Sequence, residues 1–362
     1  MDTFEQAKQF FLAGVRHFEA GRFDLAHAQF EASLALVPQR ASTLMNLGAT
    51  RIRLGRFADA DTVLEEAARL DPADAQTWGH RATALAEMGR GEEALTCADE
   101  ALRLDACQPQ VWMVRGMLLR EFGQGDEAIA SFRSAIDHGG NARLNGYYIA
   151  ALGGGDSPPA STPREYVESL FDSYAGEFES HLVDVLHYDA PAVLAKGLGD
   201  RHFARALDLG CGTGLMGAQL RARAAHLTGV DISSNMIERS RARGVYDDLV
   251  HAELGEFLVS QAQSHDLVAA ADVFNYVGDL SPVFAAAKNA MLAGGVFMFT
   301  VESASGDEPF VLQPTLRFAH GVGYIQSLAQ QNGFEISATA QLPIRDDQRT
   351  PIPGLFAWLV RS

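Results

Sequence analysis

The sequence predicts two domains of different class. Residues 1–152 read as an all-α solenoid of helical repeats, and residues 164–362 as a Rossmann-like α/β domain with a mostly parallel sheet. Three observations carry this. A glycine recurs every 34 residues through the first part; periodicity breaks at "GGGDSPPASTP" (153–163); beyond the break, apolar runs alternate with helical stretches. A chain of 362 residues has room for both domains.

The repeating glycines are Gly21, Gly55, Gly89 and Gly123. Behind each stands an alanine (Ala26, Ala60, Ala94, Ala128), then Phe30, Leu64, Ala98 or Phe132 four residues on. Small residues let paired helices approach, a larger one fills the gap, and Pro38 and Pro72 end the second helix of the early units. Ala106 and Gly140 replace the proline later, and "NARLNGYYIAAL" reads as a capping helix. Position by position, this pattern resembles the tetratricopeptide repeat. The resemblance implies a groove for a protein or peptide. The alternative is that the helices pack only on the second domain or on another copy of the chain, as in a homodimer.

Residues 153–163 lack a hydrophobic face and read as a linker. Strands are expected at "ARALDLG", "HLTGVDI", "HDLVAAA", "GVFMFTV", "GFEISATA" and "LFAWLV".

The stretch "ALDLGCGTGLMG" (206–217) carries two overlapping fingerprints. Gly212, Gly214 and Gly217 satisfy the GxGxxG spacing of a dinucleotide-binding turn, a weak signal alone. Asp208 followed by Gly210, Gly212 and Gly214 satisfies another, an acidic strand end before alternate glycines. A pyrophosphate prefers backbone N–H groups without an anion nearby, whereas a ligand ammonium welcomes one. "HLTGVDIS" ends in Asp231, where either class places a carboxylate for ribose hydroxyls.

Taken with the later segments, the second fingerprint resembles the seven-stranded class I methyltransferases that use S-adenosyl-L-methionine. The overall arrangement is similar to bacterial predicted methyltransferases with N-terminal tetratricopeptide repeats. The resemblance implies that Asp208 acts on the methionine end of the cofactor. It implies that Gly210, Cys211, Gly212 and Gly214 bring the backbone close, with Cys211 a small filler rather than a nucleophile. Asp231 and Ile232 would face the ribose, Met236 the adenine ring, and Glu253 with Leu254 its amino group, although aspartate is commoner at that acidic position. In "LFDSYAGEFESHL", Tyr174 would contact cofactor or substrate from a helix folded over the site.

Methyl transfer needs alignment, exclusion of water and, for an O or N acceptor, a base. Base candidates are Asp272 and Tyr276 after the fourth strand and His320 after the fifth, with Arg317 placed to orient an anionic substrate. The segment "ADVFNY" differs from the loops of enzymes that methylate amide or exocyclic nitrogens, and no metal-ligand spacing is evident.

Net charge is −17, divided −6 over residues 1–155 and −11 over the rest, which disfavours nucleic acid and anionic membranes. The three cysteines lack paired spacing, no apolar run is long enough to span a membrane, and the opening residues are not signal-like. A cytoplasmic methyltransferase is expected, its repeats recruiting a protein, peptide or carrier-bound acceptor. The alternatives are a small-molecule methyltransferase whose repeats serve assembly, a non-catalytic cofactor-binding scaffold, and a nicotinamide dehydrogenase.

Overall fold

The computed structural model describes residues 2–155, 157–174, 186, 188–347 and 350–362, without the side chains of 173 and 174. The chain forms two compact units, residues 1–154 and 155–362.

In the first unit, helices pair as α1 (Thr3–Glu19) with α2 (Phe23–Leu36), α3 (Ala41–Arg53) with α4 (Phe57–Leu70), α5 (Ala75–Glu87) with α6 (Gly91–Leu104), and α7 (Pro109–Glu121) with α8 (Gly125–Asp137). The recurring glycines sit just past the first helix of each pair at φ +70° to +74°. A Cβ there would meet nothing within 4 Å, so the requirement is conformational, the left-handed helix stop that glycine adopts without penalty. The amide of the next residue closes each stop, as from Arg56 N to the Arg51 carbonyl at 2.8 Å. Ala26, Ala60, Ala94 and Ala128 are fully buried. Trp78 and Trp112 donate their indole N–H to the carbonyls of Pro72 and Ala106, the same contact one repeat apart. Helix α9 (Ala142–Ala151) caps the stack, with Tyr148 lying on Phe132 at 4.9 Å between ring centres.

The second unit is a nine-stranded sheet. Its parallel part runs β3 (Asp248–His251), β2 (Ala224–Asp231), β1 (Phe203–Leu209), β4 (His265–Ala270), β5 (Met291–Ser303). Antiparallel β9 (Thr350–Arg361) pairs with β5, and β8 (Phe334–Asp347) with β9. A short hairpin, β6 (Phe310–Leu312) and β7 (Phe318–His320), joins the end of β5 and adds two strands to the seven expected. Seven helices accompany the sheet among the described residues: α10 (Arg164–Tyr174), α11 (Ala190–Gly197), α12 (Leu215–Leu220), α13 (Ser234–Arg243), α14 (Leu254–Ser260), α15 (Ser281–Ala290) and α16 (Val322–Gln331).

Strand residues alternate between two cores, which explains the unbroken apolar runs of strands covered on both faces. Leu207, Val268, Phe297, Phe299 and Leu359 enter one core; Ala206, Leu267, Val296, Met298 and Trp358 enter the other. The expected linker is only partly free chain. Ser161 bridges Val277, and the Thr162 amide donates to the Tyr276 carbonyl at 3.0 Å, so its end belongs to the second unit.

Candidate active site

In an open α/β sheet, ligands bind beyond the carboxyl ends of the strands where the strand order reverses. Here that point lies between β1 and β4, and Asp208 stands next to the end of β1. Asp208 is 1% exposed. Its Oδ2 accepts from the Tyr246 hydroxyl at 2.6 Å, while Oδ1 has no hydrogen-bond partner. Burial pushes its pKa up to about 7; the Tyr246 hydrogen bond and the Gly217 amide oppose that, and the charge of Asp231 adds to it.

Asp231 ends β2 and is buried. Its Oδ2 accepts from the Gly212 amide at 2.8 Å and its Oδ1 from the Ser233 amide at 2.9 Å, which ties the glycine loop to the neighbouring strand. Burial raises its pKa, and these amides pull it back.

The glycines serve the loop differently from the sequence expectation. Gly210, Gly212 and Gly214 all adopt positive φ, at +63°, +53° and +93°. A Cβ on Gly210 would stand 2.5 Å from the Val273 side chain, and one on Gly217 2.3 Å from the Tyr246 ring. At these two positions the close approach is made by the protein's own side chains. Gly217, which completed the dinucleotide-type spacing, is explained by Tyr246.

Cys211 is buried, and burial drives its thiol pKa well up, which fits a filler. Ile232 is half-buried and its carbonyl accepts from His251 Nε2 at 2.8 Å. Met236, expected against adenine, is fully buried and offers no free surface. Glu253 is the N-cap of α14, accepting from the Glu256 amide at 2.8 Å, with Leu254 as the first residue of the helix. The Tyr174 side chain lies outside the described residues. Its helix is fixed by Asp172, whose Oδ1 accepts from Ser233 Oγ at 2.5 Å and whose carbonyl accepts from Asn235 Nδ2 at 3.0 Å.

After β4, Asp272 occupies the left-handed region at φ +58°. Its amide donates to Thr300 Oγ1 at 2.8 Å, and its Oδ1 accepts from Asn275 Nδ2 at 3.1 Å and Arg345 Nη1 at 2.5 Å. Such anchoring holds a conformation costing about 1 kcal/mol or more. Arg345, buried on β8, also bonds Glu302 at the end of β5. Tyr276 packs edge-on against Phe171 at 5.4 Å, and its hydroxyl pairs with Arg317. Burial raises the Tyr276 pKa, which favours the protonated phenol. Burial works against the Arg317 charge, but Tyr276, Asp272 and Glu302 outweigh it.

His320 is corrected. It has no exposed surface, its Nε2–H donates to the Val277 and Gly278 carbonyls at 2.9 and 3.0 Å, and it stacks with Tyr324. Burial lowers its pKa to about 4. It joins the hairpin to the loop after β4 and presents no surface outside the core. Among the described residues, no group of three or more His, Cys, Asp or Glu is placed to hold a metal ion. None of the helices described is long and apolar enough to cross a membrane.

Residues 207–299 match the family model of a methyltransferase domain. Residues 11–78 and 52–118 match two tetratricopeptide-repeat models. Parts of the chain are thus similar to tetratricopeptide repeats and, further on, to a methyltransferase domain. Similar curated proteins include the malonyl-[acyl-carrier protein] O-methyltransferase of Salmonella typhimurium, 28% identical over 39% of this chain and 55% of that one. A ubiquinone biosynthesis O-methyltransferase of Aromatoleum aromaticum is 31% identical over 26% and 43%. Methyltransferase-like protein 27 of Homo sapiens is 37% identical over 24% and 38%. The chain therefore spans about half or less of these relatives' length. Similar solved structures include an S-adenosylmethionine-dependent methyltransferase from Mesorhizobium loti (20% identity, TM-score 0.39, 48% of this chain and 98% of that one). A thermophilic TPR protein of Thermus thermophilus is another (23%, TM-score 0.36, 40% and 80%).

Sequence reading of the second unit missed Tyr246, Glu302, Arg345 and Asp172. Three had a local signal, a tyrosine before the acidic pair of "YDDLV", an acid closing the apolar run "VFMFTVE" and the aspartate of "LFDSY", whereas Arg345 lay beyond the expected strands.

Proposed function

We propose that the chain is an S-adenosyl-L-methionine-dependent methyltransferase that acts on an oxygen acceptor, with repeats that recruit a protein, peptide or carrier-bound substrate. The observation that carries this reading is Asp208, a buried carboxylate with one oxygen unpartnered at the point where the strand order reverses. That donor set fits the cofactor. Asp208 would hold its ammonium group and Asp231 its ribose hydroxyls, with the Gly210–Gly214 backbone alongside and Glu253 and Leu254 at the adenine. A dinucleotide pyrophosphate would instead face two carboxylates. When bound, the cofactor supplies a methyl group on a cationic sulfur already activated for displacement.

The chain's own residues then align the acceptor and take its proton. Asp272 is the base: Arg345 and Asn275 hold Oδ1, and Oδ2 makes no hydrogen bond among the described residues. Arg317 and Tyr276 orient the acceptor. The curated relatives quoted are named as O-methyltransferases in two cases, and one is named for an acyl-carrier-protein substrate, which supports both an oxygen acceptor and a carrier-bound one. Phe4, Leu12, Leu25 and Phe122 leave 44–53% of their surface exposed on the repeats.

Labelled-methyl transfer from S-adenosylmethionine to acyl-carrier-protein substrates and to free small acids tests the reading. The carrier-bound acceptor should be methylated, and replacing Leu12 and Phe122 by serine should raise its KM without changing kcat. Transfer to free acids alone, indifferent to those substitutions, would contradict recruitment.

A further inference from the structure

Tyr246 has no part in the motifs of the domain, yet its surroundings are built around it. A Cβ on Gly217 of α12 would stand 2.3 Å from its Cζ and hydroxyl, and one on Gly229 of β2 2.9 Å from its ring. Both positions need a bare Cα for the phenol to enter. The chain on either side is pinned by one arginine: Arg221 Nη1 donates to the Val245 carbonyl at 3.1 Å and to Asp247 Oδ2 at 2.7 Å. Asp247 Oδ2 also accepts from the Leu227 amide at 2.7 Å. The phenol is therefore fixed before any ligand arrives, with its O–H 2.6 Å from Asp208 Oδ2.

We propose that Tyr246 is a positioning residue that occupies one oxygen of Asp208, so that the other is presented to the ammonium group of the cofactor. This rests on the methyltransferase reading above. A carboxylate buried with one oxygen unpartnered is costly, and a cationic N–H donor relieves that cost best. A tyrosine serves better than a cationic partner because it steers the carboxylate without neutralising it. It also favours the ionised form over the protonated one. The titratable groups facing Asp208 are Tyr246 itself, Asp231 on β2 and Tyr188 before α11, with the Cys211 thiol responding to the same carboxylate. Asp231 opposes ionisation of Asp208, so Tyr246 is the group here that supports it through a side-chain hydrogen bond.

The test uses the full chain and S-adenosylhomocysteine, titrated calorimetrically across the neutral pH range, with melting temperatures recorded alongside. The unsubstituted chain should lose affinity as pH falls through about 7. Tyr246→Phe keeps the ring in its slot and removes one O–H. It should weaken binding roughly tenfold at neutral pH and move the midpoint up by about one pH unit, recovering affinity in alkali. Asp208→Asn keeps an acceptor for Tyr246, cannot ionise, and should bind weakly with a flat profile. Wild-type affinity and midpoint in Tyr246→Phe would overturn the proposal, as would a retained midpoint in Asp208→Asn should Tyr246→Phe not fold. Absence of binding by the unsubstituted chain would overturn the underlying reading and this role together.

Discussion

Gly116 presents a bare Cα to Phe132, and a Cβ in its place would stand 2.6 Å from the ring. The same pairing occurs at Gly14 with Phe30 and Gly48 with Leu64, at multiples of the 34-residue period. The third repeat places Ala82 and Ala98 there instead, both fully buried, so volume lost on one helix is gained on the other. Gly116→Ala should therefore cost about 1–3 kcal/mol by overpacking. Phe132→Ala should cost about 3–5 kcal/mol through the cavity it leaves. The double variant, which copies the third repeat, should be more stable than the sum of the two losses allows. Urea melts of the four proteins check this, and strict additivity would contradict it.

Burial of Asp208 costs stability above neutral pH. Its folded-state pKa is raised to about 7 from an ordinary value of 3.8, so its favourable contribution is present below pH 3.8 and lost as pH rises through about 7. Asp208→Asn should consequently melt higher than the parent at pH 8 in the absence of ligand. It should also lose the stabilisation that S-adenosylhomocysteine gives the parent. A lower melting temperature at pH 8 would show that the carboxylate is not strained there.

His320 has the opposite sign. Burial lowers its pKa to about 4 from 6.5, so its contribution is complete above pH 6.5 and declines as pH falls towards 4. His320→Phe should flatten the acid limb of the melting curve while leaving the pH dependence of kcat/KM intact. Loss of that pH dependence without a stability change would restore the histidine as a base.

Arg345 neutralises the buried Glu302 and the partly buried Asp272, so Arg345→Met should destabilise the second unit by about 3–5 kcal/mol. Adding Asp272→Asn and Glu302→Gln should recover much of that loss, because no uncompensated charge remains. Activity should not return with stability, since the proposed base is gone. Differential scanning calorimetry and a methyl-transfer assay on the triple variant separate the two.

Local signals made most of the fold legible. The 34-residue period, the left-handed glycines and the apolar strand runs each reflect a constraint acting within a few residues. The loop glycines were recognised but their neighbours were not. Nothing near Gly217 in sequence announces that Tyr246, 29 positions on, fills the space above it. Arg345 was illegible for the same reason: its partners Asp272 and Glu302 come from two other strand ends, brought together only by sheet order. His320 was misjudged because intrinsic pKa speaks for an exposed imidazole, whereas burial and two carbonyls decide this one.

The most direct test of the central claim is calorimetric titration of the full chain with S-adenosylmethionine, S-adenosylhomocysteine and NADH, repeated on Asp231→Ala. Micromolar binding of both sulfur ligands is expected, with no NADH binding and a loss of about 1.5–3 kcal/mol in the variant. Binding of NADH, or equal affinity of Asp231→Ala for the adenosyl ligands, would contradict the placement of the cofactor at the ends of β1 and β2.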